Sequence, residues 1–276
     1  MNLIDGKAIA QSIRNEIKEQ VALMKRQPRL DVIIVGEDHA SKTYVANKER
    51  ACKEVGITSV IHRLDEYKTE KQVIRYISDL NKNKEVDGIL VQLPLPKHFS
   101  ERKVLSQIKE TKDVDGFHAR NAGSLFLGEE TLSPCTPTGC IELIKRTGIS
   151  LAGKHAVVVG RSNIVGKPLA LMLLQENCTV TIAHSKTTNL KEVCKTADIL
   201  CVAVGRKHFV TADMVKPGAI VIDVGINRGE DGKLYGDVDF ENVLPIASHI
   251  TPVPGGVGPM TIAMLLKNVL RTRGKG

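Results

Sequence analysis

The stretch that decides the fold reads His155-Ala-Val-Val-Val-Gly-Arg-Ser-Asn-Ile-Val-Gly-Lys-Pro168. Its β-branched run ends at Gly160, and a helical pattern of apolar residues starts after Gly166. A strand, a glycine turn and a helix in this order direct backbone N–H groups and a helix N-terminus toward a phosphate group. The turn departs from the G-x-G-x-x-G pattern, because Arg161 and Ser162 stand where the second glycine would let a pyrophosphate approach closely. Many α/β folds need a glycine turn here, so this stretch alone leaves dinucleotide binding open.

Length and composition describe a globular protein of ordinary type. The chain has 276 residues, enough for about two domains of typical size. Its hydrophobic fraction is 42% and its charged fraction is 25%. No long apolar run predicts a membrane span, and the first residues lack the pattern of a signal peptide. The six cysteines form no C-x-x-C pair. We therefore expect a cytoplasmic protein with reduced thiols and with neither a disulfide framework nor a zinc site.

The net charge of +8 raises the question of a nucleic-acid partner. The basic residues are spread along the chain, and aromatic residues make up only 3% of it, with no Trp. Aromatic platforms on which bases could stack are therefore scarce, which argues against nucleic acid. The charge suits an anionic small molecule better, and an evenly solvated basic surface remains the alternative.

Strand-like and helical segments alternate along the chain, which predicts an α/β protein with parallel sheets. We expect a first domain over residues 1–137 and a second, Rossmann-like parallel-sheet domain over residues 138–260, beginning with a helix. Residues 111–137 are rich in Gly, Pro, Asn and Asp and are typical of a loop. Residues 250–260 contain too many Gly and Pro residues for regular structure. A closing helix is predicted over residues 261–270.

Two residues on one predicted helix of the first domain are candidates for chemistry. Tyr44 and Lys48 are four positions apart and therefore share a helix face. Lys48 lies within an otherwise apolar stripe, where burial favours the neutral amine and makes it a usable proton carrier. The alternative is that Lys48 lies at the edge of the stripe and extends its ammonium group to water.

Two further polar residues of the first domain lie at positions where ligands commonly bind. Gln92 follows a buried strand, and parallel sheets bind ligands at the carboxyl ends of their strands. A glutamine that only satisfies a nearby loop backbone is an equally good interpretation. Asp115 precedes Gly116 and is placed to accept hydrogen bonds from an amino-pyrimidine-like ligand. An Asx turn is the more common role of Asp before Gly.

The second domain contains the signal that distinguishes NADP from NAD. NAD-binding sites usually end their second strand with Asp or Glu, which binds the ribose 2′-OH. Here that strand ends Ala183-His-Ser-Lys-Thr187, with no carboxylate, and Arg161 lies in the glycine turn. This arrangement favours a 2′-phosphate and therefore NADP. A capping role for Ser185 and a solvated Lys186 remain the alternatives.

The sequence shows no other familiar catalytic centre. None of the eight histidines lies at metal-binding spacing from another ligand, so we expect no metal. The G-x-S-x-G and P-loop patterns are absent, which argues against a serine hydrolase and an ATP-driven ligase.

Seven segments, taken in chain order, resemble the bifunctional methylenetetrahydrofolate dehydrogenase/cyclohydrolase (FolD) family over nearly the full length. No motif position departs from the family pattern. The segments are Tyr44-x-x-x-Lys48, Val91-Gln-Leu-Pro-Leu-Pro96, Lys112-Asp-Val-Asp-Gly-Phe117, Pro134-Cys-Thr-Pro137, Gly160-Arg-Ser-Asn-Ile-Val-Gly166, His184-Ser-Lys-Thr187 and Pro254-Gly-Gly-Val-Gly-Pro-Met-Thr261.

The resemblance implies two α/β domains with the active-site cleft between them and a C-terminal helix, 261–276, that packs back on the first domain. It implies NADP-dependent oxidation of 5,10-methylenetetrahydrofolate to 5,10-methenyltetrahydrofolate, followed by hydrolysis to 10-formyltetrahydrofolate. It also implies a homodimer. The alternative is a monofunctional methylenetetrahydrofolate dehydrogenase, which we disfavour because Lys48 and Ser185 are both present.

The resemblance further assigns roles to individual residues. The catalytic residues are Lys48 as the central proton-handling group, Tyr44 and Gln92, which tune it, and Asp115, which grips the pterin. The substrate-binding set is Tyr44, Lys48, Val91, Gln92, Leu93, Asp115, Pro254, Gly255 and Gly256. The NADP-binding set is Gly160, Arg161, Ser162, Ser185 and Ile226.

Overall fold

A computed structural model describes the backbone of residues 3–36 and 39–273 and the side chains of residues 3–36 and 44–272. The chain divides into two compact units. The first, which we call the three-stranded unit, comprises residues 11–133 and 262–276. The second, the five-stranded unit, comprises residues 1–10 and 134–261.

Helices and strands alternate over most of the chain. The helices are α1 (Gly6–Ala22), α2 (His39–Val55), α3 (Glu70–Lys82), α4 (Glu101–Leu105), α5 (Ala119–Leu127), α6 (Cys135–Lys145), α7 (Gly166–Gln175), α8 (Leu190–Lys195), α9 (Phe240–Val243) and α10 (Val257–Arg273). The strands are β1 (Arg29–Val35), β2 (Thr58–Leu64), β3 (Gly88–Val91), β4 (His155–Val159), β5 (Thr179–Ala183), β6 (Ile199–Val202), β7 (Ile220–Asp223), β8 (Asn227–Arg228), β9 (Leu234–Tyr235) and β10 (His249–Ile250).

The three-stranded unit is built on a parallel sheet with the strand order β2-β1-β3. Helix α3 begins with a capping box in which Thr69 and Gln72 satisfy each other's backbone N–H groups. It packs Val73 and Ile77, which are fully buried, into the same core as strands β1 and β3. Because the strands are parallel, their carboxyl ends lie at one edge of the sheet, and Gln92 directly follows β3 at that edge.

The five-stranded unit contains a parallel sheet with the order β10-β7-β6-β4-β5. The chain passes from β4 to β5 on one side and then returns to β6 on the other side of β4. The order therefore reverses between β4 and β6, and in open parallel sheets such a switch point is where ligands bind, beyond the carboxyl ends of the strands. A small antiparallel pair, β8 and β9, follows β7.

The prediction of an α/β protein with parallel sheets is confirmed. The prediction that residues 111–137 form a loop is wrong, because this segment contains α5, and α6 begins three residues before the predicted start at Thr138. Helix α5 is capped by the His118 side chain, which accepts a hydrogen bond from the N–H of Arg120, and ends at Gly128 in the left-handed conformation. Its buried Asn121 bonds to other parts of the loop, so polar composition here reflects tertiary contacts and not irregular structure.

The prediction that residues 250–260 are irregular is also wrong at both ends. Strand β10 includes Ile250, and α10 begins at Val257. A Cβ placed on Gly139 of α6 would lie 2.9 Å from the Cβ of Met260. The two helices therefore approach each other closely through a glycine, a tertiary contact that outweighs the low helix propensity of the segment.

Residues 3–10 belong to the five-stranded unit, although the sequence places them in the first domain. The N–H of Ile4 donates to the carbonyl of Ile250 over 2.9 Å, and Leu3 forms a parallel bridge to the same residue. In the part of the chain that the structure describes, no helix is long and apolar enough to cross a membrane.

Candidate active site

Lys48 and Gln92 form a direct hydrogen bond in the three-stranded unit. The Nζ of Lys48, on α2, donates to the Oε1 of Gln92 over 3.0 Å. The Nε2 of Gln92 donates to the carbonyl of Leu93 over 2.7 Å, and its backbone N–H donates to Ile33. The loop carbonyl therefore accepts the hydrogen bond of the amide nitrogen, and the amide oxygen faces the lysine. Gln92 thus both satisfies the loop backbone and orients the amine.

Lys48 lies on the same face of α2 as the buried residues of this helix. Val45, Cys52 and Val55 on this helix are buried, whereas Lys48 is partly exposed. Tyr44, one turn earlier, has 46% of its surface exposed. A phenol ring and an amine on one helix face are thus both accessible to a ligand, and the amine is held by an uncharged acceptor.

Asp115 brings a carboxylate into electrostatic reach of Lys48. Burial raises the pKa of Asp115 to about 6; the nearby charge of Lys48 lowers it and that of Asp113 raises it. Among the groups that the structure describes, none donates a hydrogen bond to the Asp115 carboxylate. A partly enclosed carboxylate that lacks internal donors retains its capacity to accept hydrogen bonds from a ligand.

The turn that carries Asp115 is fixed by the residues around it. Asp113 is buried, and its carboxylate accepts hydrogen bonds from the N–H of His118 over 2.7 Å and from Asn121 over 2.9 Å. The N–H of Gly116 donates to the carbonyl of Asp113 over 3.1 Å. The turn at Gly116 is therefore closed by the backbone, and no Asx turn occupies the Asp115 side chain.

Two other predicted substrate-binding residues lie near Gln92. The side chain of Val91 is buried in the core, so a contact with a ligand would have to use its backbone. Leu93 is partly buried against the same core. The structure thus groups Lys48, Gln92 and Asp115 through their side chains.

In the five-stranded unit, the glycine turn after β4 has the form that a phosphate group requires. Gly160 has φ +135°, a conformation that favours glycine, and a Cβ there would collide with the carbonyl of Ala203 after β6. A Cβ on Gly166 would collide with the carbonyl of Gly160. The switch point between β4 and β6 is therefore lined by backbone, which fits the close approach of a nucleotide phosphate.

The polar residues predicted to bind the cofactor follow neighbouring strands. Arg161 and Ser162 come after β4 and Ser185 comes after β5; all three are exposed. The hydroxyl of Ser162 accepts hydrogen bonds from the N–H groups of Val165 and Gly166, at the start of α7. The two strands are adjacent and parallel, so these residues lie at one edge of the sheet.

Two buried aspartates, which the sequence analysis did not single out, hold the loops at the same edge. Asp237 accepts hydrogen bonds from the N–H groups of Val204, Gly205 and Arg206 at 2.6, 2.9 and 2.8 Å. Asp223 accepts hydrogen bonds from the N–H of Asp237 over 2.9 Å and from Val238 over 2.9 Å. Burial raises the pKa of Asp223 to about 6. The loops after β6 and β7 are therefore built around two carboxylates.

The aspartates also hold the residues on either side of Ile226. The N–H of Gly225 donates to Asp223 over 3.0 Å, and the Nδ2 of Asn227 donates to Asp237 over 2.9 Å. Ile226 itself has 46% of its surface exposed. Its apolar side chain is thus presented to solvent from a rigid support. The sequence does contain a signal for these aspartates, in Asp223-Val-Gly225 and Gly236-Asp237. Gly225 leaves room for the side chain of Asp237, and Gly236 leaves room for that of Asp223.

The remaining predicted substrate-binding residues, Pro254, Gly255 and Gly256, lie in the five-stranded unit. Pro254 is exposed and Gly256 is buried. Burial raises the pKa of the Cys140 and Cys201 thiols, which makes them poor nucleophiles. Among the described residues, no group of three or more His, Cys, Asp or Glu residues is arranged to hold a metal ion.

These features define a class of protein: a two-unit enzyme with a nucleotide-binding parallel sheet and a separate unit that carries a lysine, an amide and a carboxylate. Comparison with known families specifies it further. Residues 4–115 match the tetrahydrofolate dehydrogenase/cyclohydrolase catalytic domain, and residues 134–275 match the NAD(P)-binding domain of the same family. The chain belongs to this family and is a bifunctional dehydrogenase and cyclohydrolase, and the expectation of a nicotinamide cofactor is confirmed.

Individual relatives agree with this assignment. The bifunctional protein FolD of Brevibacillus brevis is 58% identical over 97% of this chain and 95% of its own length. The crystal structure of FolD from Campylobacter jejuni has a TM-score of 0.98 at 49% identity and covers 100% of both chains. The FolD structure from Trypanosoma brucei, described as a complex with NADP and an inhibitor, has a TM-score of 0.94 at 38% identity and covers 99% of this chain and 97% of its own.

Proposed function

We propose that this enzyme oxidises 5,10-methylenetetrahydrofolate with NADP⁺ and hydrolyses the resulting 5,10-methenyltetrahydrofolate to 10-formyltetrahydrofolate. The observation that carries the proposal is the hydrogen bond from Lys48 to Gln92, beside the Asp115 carboxylate. This cluster offers both an amine that can handle protons and an acceptor for the polar edge of a pterin. The presence of both family domains favours two activities over a monofunctional dehydrogenase.

Asp115 binds the pterin in this account. Its carboxylate has no internal hydrogen-bond donor among the described residues, and the amino-pyrimidine edge of a pterin supplies N–H donors. The exposed ring of Tyr44 contributes a face beside the amine, and Val91 contributes only backbone. Leu93, Pro254, Gly255 and Gly256 complete the proposed substrate-binding set.

NADP is bound at the carboxyl edge of the five-stranded sheet. Gly160 and Ser162 hold the phosphates, and Ile226 packs against the cofactor. Arg161 and Ser185 are exposed after adjacent strands and bind the 2′-phosphate. No carboxylate follows β5, where NAD-binding sites usually place one to bind the ribose 2′-OH. When bound, the nicotinamide supplies the hydride acceptor for the first reaction.

Lys48 carries the proton transfers of the second reaction. The amine takes a proton from the water whose oxygen bonds to the bridge carbon. It then gives that proton to the ring nitrogen as the carbon–nitrogen bond breaks, while the remaining hydroxyl proton leaves to solvent as the formyl C=O forms. Gln92 keeps the amine in place throughout, since its oxygen accepts a hydrogen bond from Lys48 in either protonation state.

We also propose that the enzyme works as a cytoplasmic homodimer with anionic folates as its partners and no nucleic acid. The dispersed basic residues and the low aromatic content of 3% support the last point. Light scattering tests the dimer. Retention on DNA that weakens with salt, without NADPH formation, would contradict the whole assignment.

One spectroscopic experiment tests the two reactions together. Methylenetetrahydrofolate is mixed with NADP⁺ or NAD⁺ and NADPH or NADH is followed; methenyltetrahydrofolate is then added alone and its decay is measured. We expect reduction that prefers NADP⁺ and a decay faster than the uncatalysed rate. Reduction without accelerated decay would leave a monofunctional dehydrogenase and contradict the role of Lys48.

A further inference from the structure

Asn268 of helix α10 is bonded to the segment that carries Asp115. The side chain is buried, with 4% of the residue's surface exposed. Its Nδ2 donates to the carbonyl of Val114 over 2.8 Å and to the carbonyl of Ser133 over 2.9 Å. Val114 directly precedes Asp115, so one amide group from the C-terminal helix fixes the peptide from which the aspartate side chain extends.

We propose that Asn268 is a positioning residue for Asp115 and sets the direction in which its carboxylate meets the polar edge of the folate. The inference rests on the proposed role of Asp115 in binding the pterin. Asn268 does not touch the substrate in this account. It acts through the carbonyl of Val114, and its contribution appears in folate binding and not in cofactor binding.

The surroundings of Asp115 explain why its backbone must be held. No group among the described residues donates a hydrogen bond to its carboxylate, so within this part of the chain only the backbone holds Asp115. Val114 is fully buried and packs over Gly88 of β3, where an added Cβ would lie 2.5 Å from the Val114 Cγ1. On the same turn, the Asp113 carboxylate is held by His118 and Asn121. Packing and the buried side chains of Asp113 and Asn121 thus fix the turn, and the partly exposed Asp115 side chain projects from it.

An asparagine is well suited to this position. Its amide nitrogen carries two N–H donors, one for each of the two carbonyls. An apolar side chain of similar size would leave both carbonyls with one donor fewer in a buried environment, and such losses move the backbone or destabilise it. A serine at this position retains a single donor and permits only one of the two bonds.

The test compares two variants of Asn268 with a matched control on the same helix. Asn268→Leu keeps the branched shape of the side chain and removes both donors. Asn268→Ser keeps one donor and is smaller, so it serves if the leucine variant does not fold. Thr272→Val is the control, because Thr272 is also buried but, among the described residues, its hydroxyl donates within its own helix, to the carbonyl of Val269. Steady-state kinetics are measured with methylenetetrahydrofolate and NADP⁺ for each variant.

We expect the Asn268 variants to raise the KM for methylenetetrahydrofolate by about tenfold, with the KM for NADP⁺ and kcat within about twofold of the wild type. Thr272→Val should leave all three constants unchanged. In an Asp115→Asn background, the Asn268 substitution should lose most of its effect, since the two act on one contact. Equal effects in both backgrounds, or equal increases in both KM values, would overturn the proposal.

The same cycle separates this inference from the proposed function. If Asp115→Asn alone leaves the folate KM unchanged, the role of Asp115 in substrate binding fails. If Asp115→Asn raises that KM while the Asn268 variants do not, Asp115 keeps its role and the positioning role of Asn268 is overturned.

Discussion

The Nζ of Lys48 lies 3.0 Å from the Oε1 of Gln92, and this bond joins helix α2 to the end of strand β3. The amide is itself held by the carbonyl of Leu93, so its oxygen cannot turn away from the lysine without losing a second hydrogen bond. A neutral acceptor suits a residue that must hold a proton and release it, because it does not stabilise the charged amine as strongly as a carboxylate would.

Replacing Arg161 with alanine should change the affinities for NADP⁺ and NAD⁺ to different extents. Because the guanidinium is assigned to the 2′-phosphate, Arg161→Ala should weaken NADP⁺ binding by about tenfold or more and NAD⁺ binding by less than about twofold. Fluorescence titration measures both. Lys195→Ala is the control for a loss of charge alone, since Lys195 ends α8 away from the carboxyl edge of the sheet. Equal losses for both cofactors would contradict the assignment.

The raised pKa of Asp115 predicts a pH dependence of folate use. Its pKa of about 6 means that the carboxylate loses its negative charge as the pH falls through that value. The kcat/KM for methylenetetrahydrofolate should therefore fall below about pH 6, by about tenfold per pH unit. Asp115→Asn should show a low value without this decline. A decline of the same size and midpoint in the variant would assign the titration to another group.

The raised pKa of Asp115 also predicts that replacing this residue with asparagine increases the free energy of unfolding. The pKa of Asp115 rises from 3.8 in the unfolded chain to about 6 in the folded protein, so folding disfavours its charged form. The destabilisation of the folded protein by the Asp115 carboxylate grows as the pH rises from about 4 to about 6, and it is constant above pH 6. Asp115→Asn should therefore increase the free energy of unfolding above pH 6 by on the order of 1 kcal/mol.

Urea denaturation of the cofactor-free protein at pH 7.5 and pH 4 measures this gain. It should be present at the higher pH and absent at the lower one. A variant that is less stable than the wild type at pH 7.5 would show that the charged carboxylate is stabilised by the fold.

Asp237 should matter for stability and for the cofactor together. Asp237→Asn places an amide nitrogen among the N–H donors of the loop after β6, so we expect a loss of about 2 kcal/mol in the free energy of unfolding and a several-fold weaker NADP⁺ affinity. Thermal denaturation and NADP⁺ titration measure the two effects. Asp231→Asn is the control, since that exposed carboxylate bonds to Tyr235 outside the two-aspartate arrangement. Unchanged NADP⁺ affinity in Asp237→Asn would contradict a role of this loop in the cofactor site.

Much of the fold follows from local patterns. The β-branched run Val157–Val159 becomes β4, and the predicted helix that carries Tyr44 and Lys48 is α2, because strand and helix periodicity act over a few residues. Local patterns did not predict helix α5. Asn121 and Gly123 lower its intrinsic helix propensity. The helix is stabilised because Asn121 donates a hydrogen bond to Asp113 and accepts one from the hydroxyl of Thr131, and no local pattern encodes these bonds.

The residues of the candidate site also fall into two groups: those that a local sequence pattern indicates and those that only the structure reveals. Lys48 and Gln92 stand out because a polar residue interrupts an apolar pattern or ends a buried strand. The supporting groups Asp223, Asp237 and Asn268 do not, because they bond to backbone groups in loops that only the folded chain brings near. Asn268 bonds to a carbonyl 154 positions away in the sequence. Positions that hold a loop through its backbone therefore require the structure to be found.

The most direct test of the central claim, that Lys48 carries the proton transfers of the hydrolysis, is the decay of methenyltetrahydrofolate with Lys48→Met. This substitution keeps the bulk of the side chain and removes the amine. We expect the decay to fall to the uncatalysed rate while NADP⁺ affinity stays within about twofold of the wild type. Decay at the wild-type rate in this variant would contradict the account.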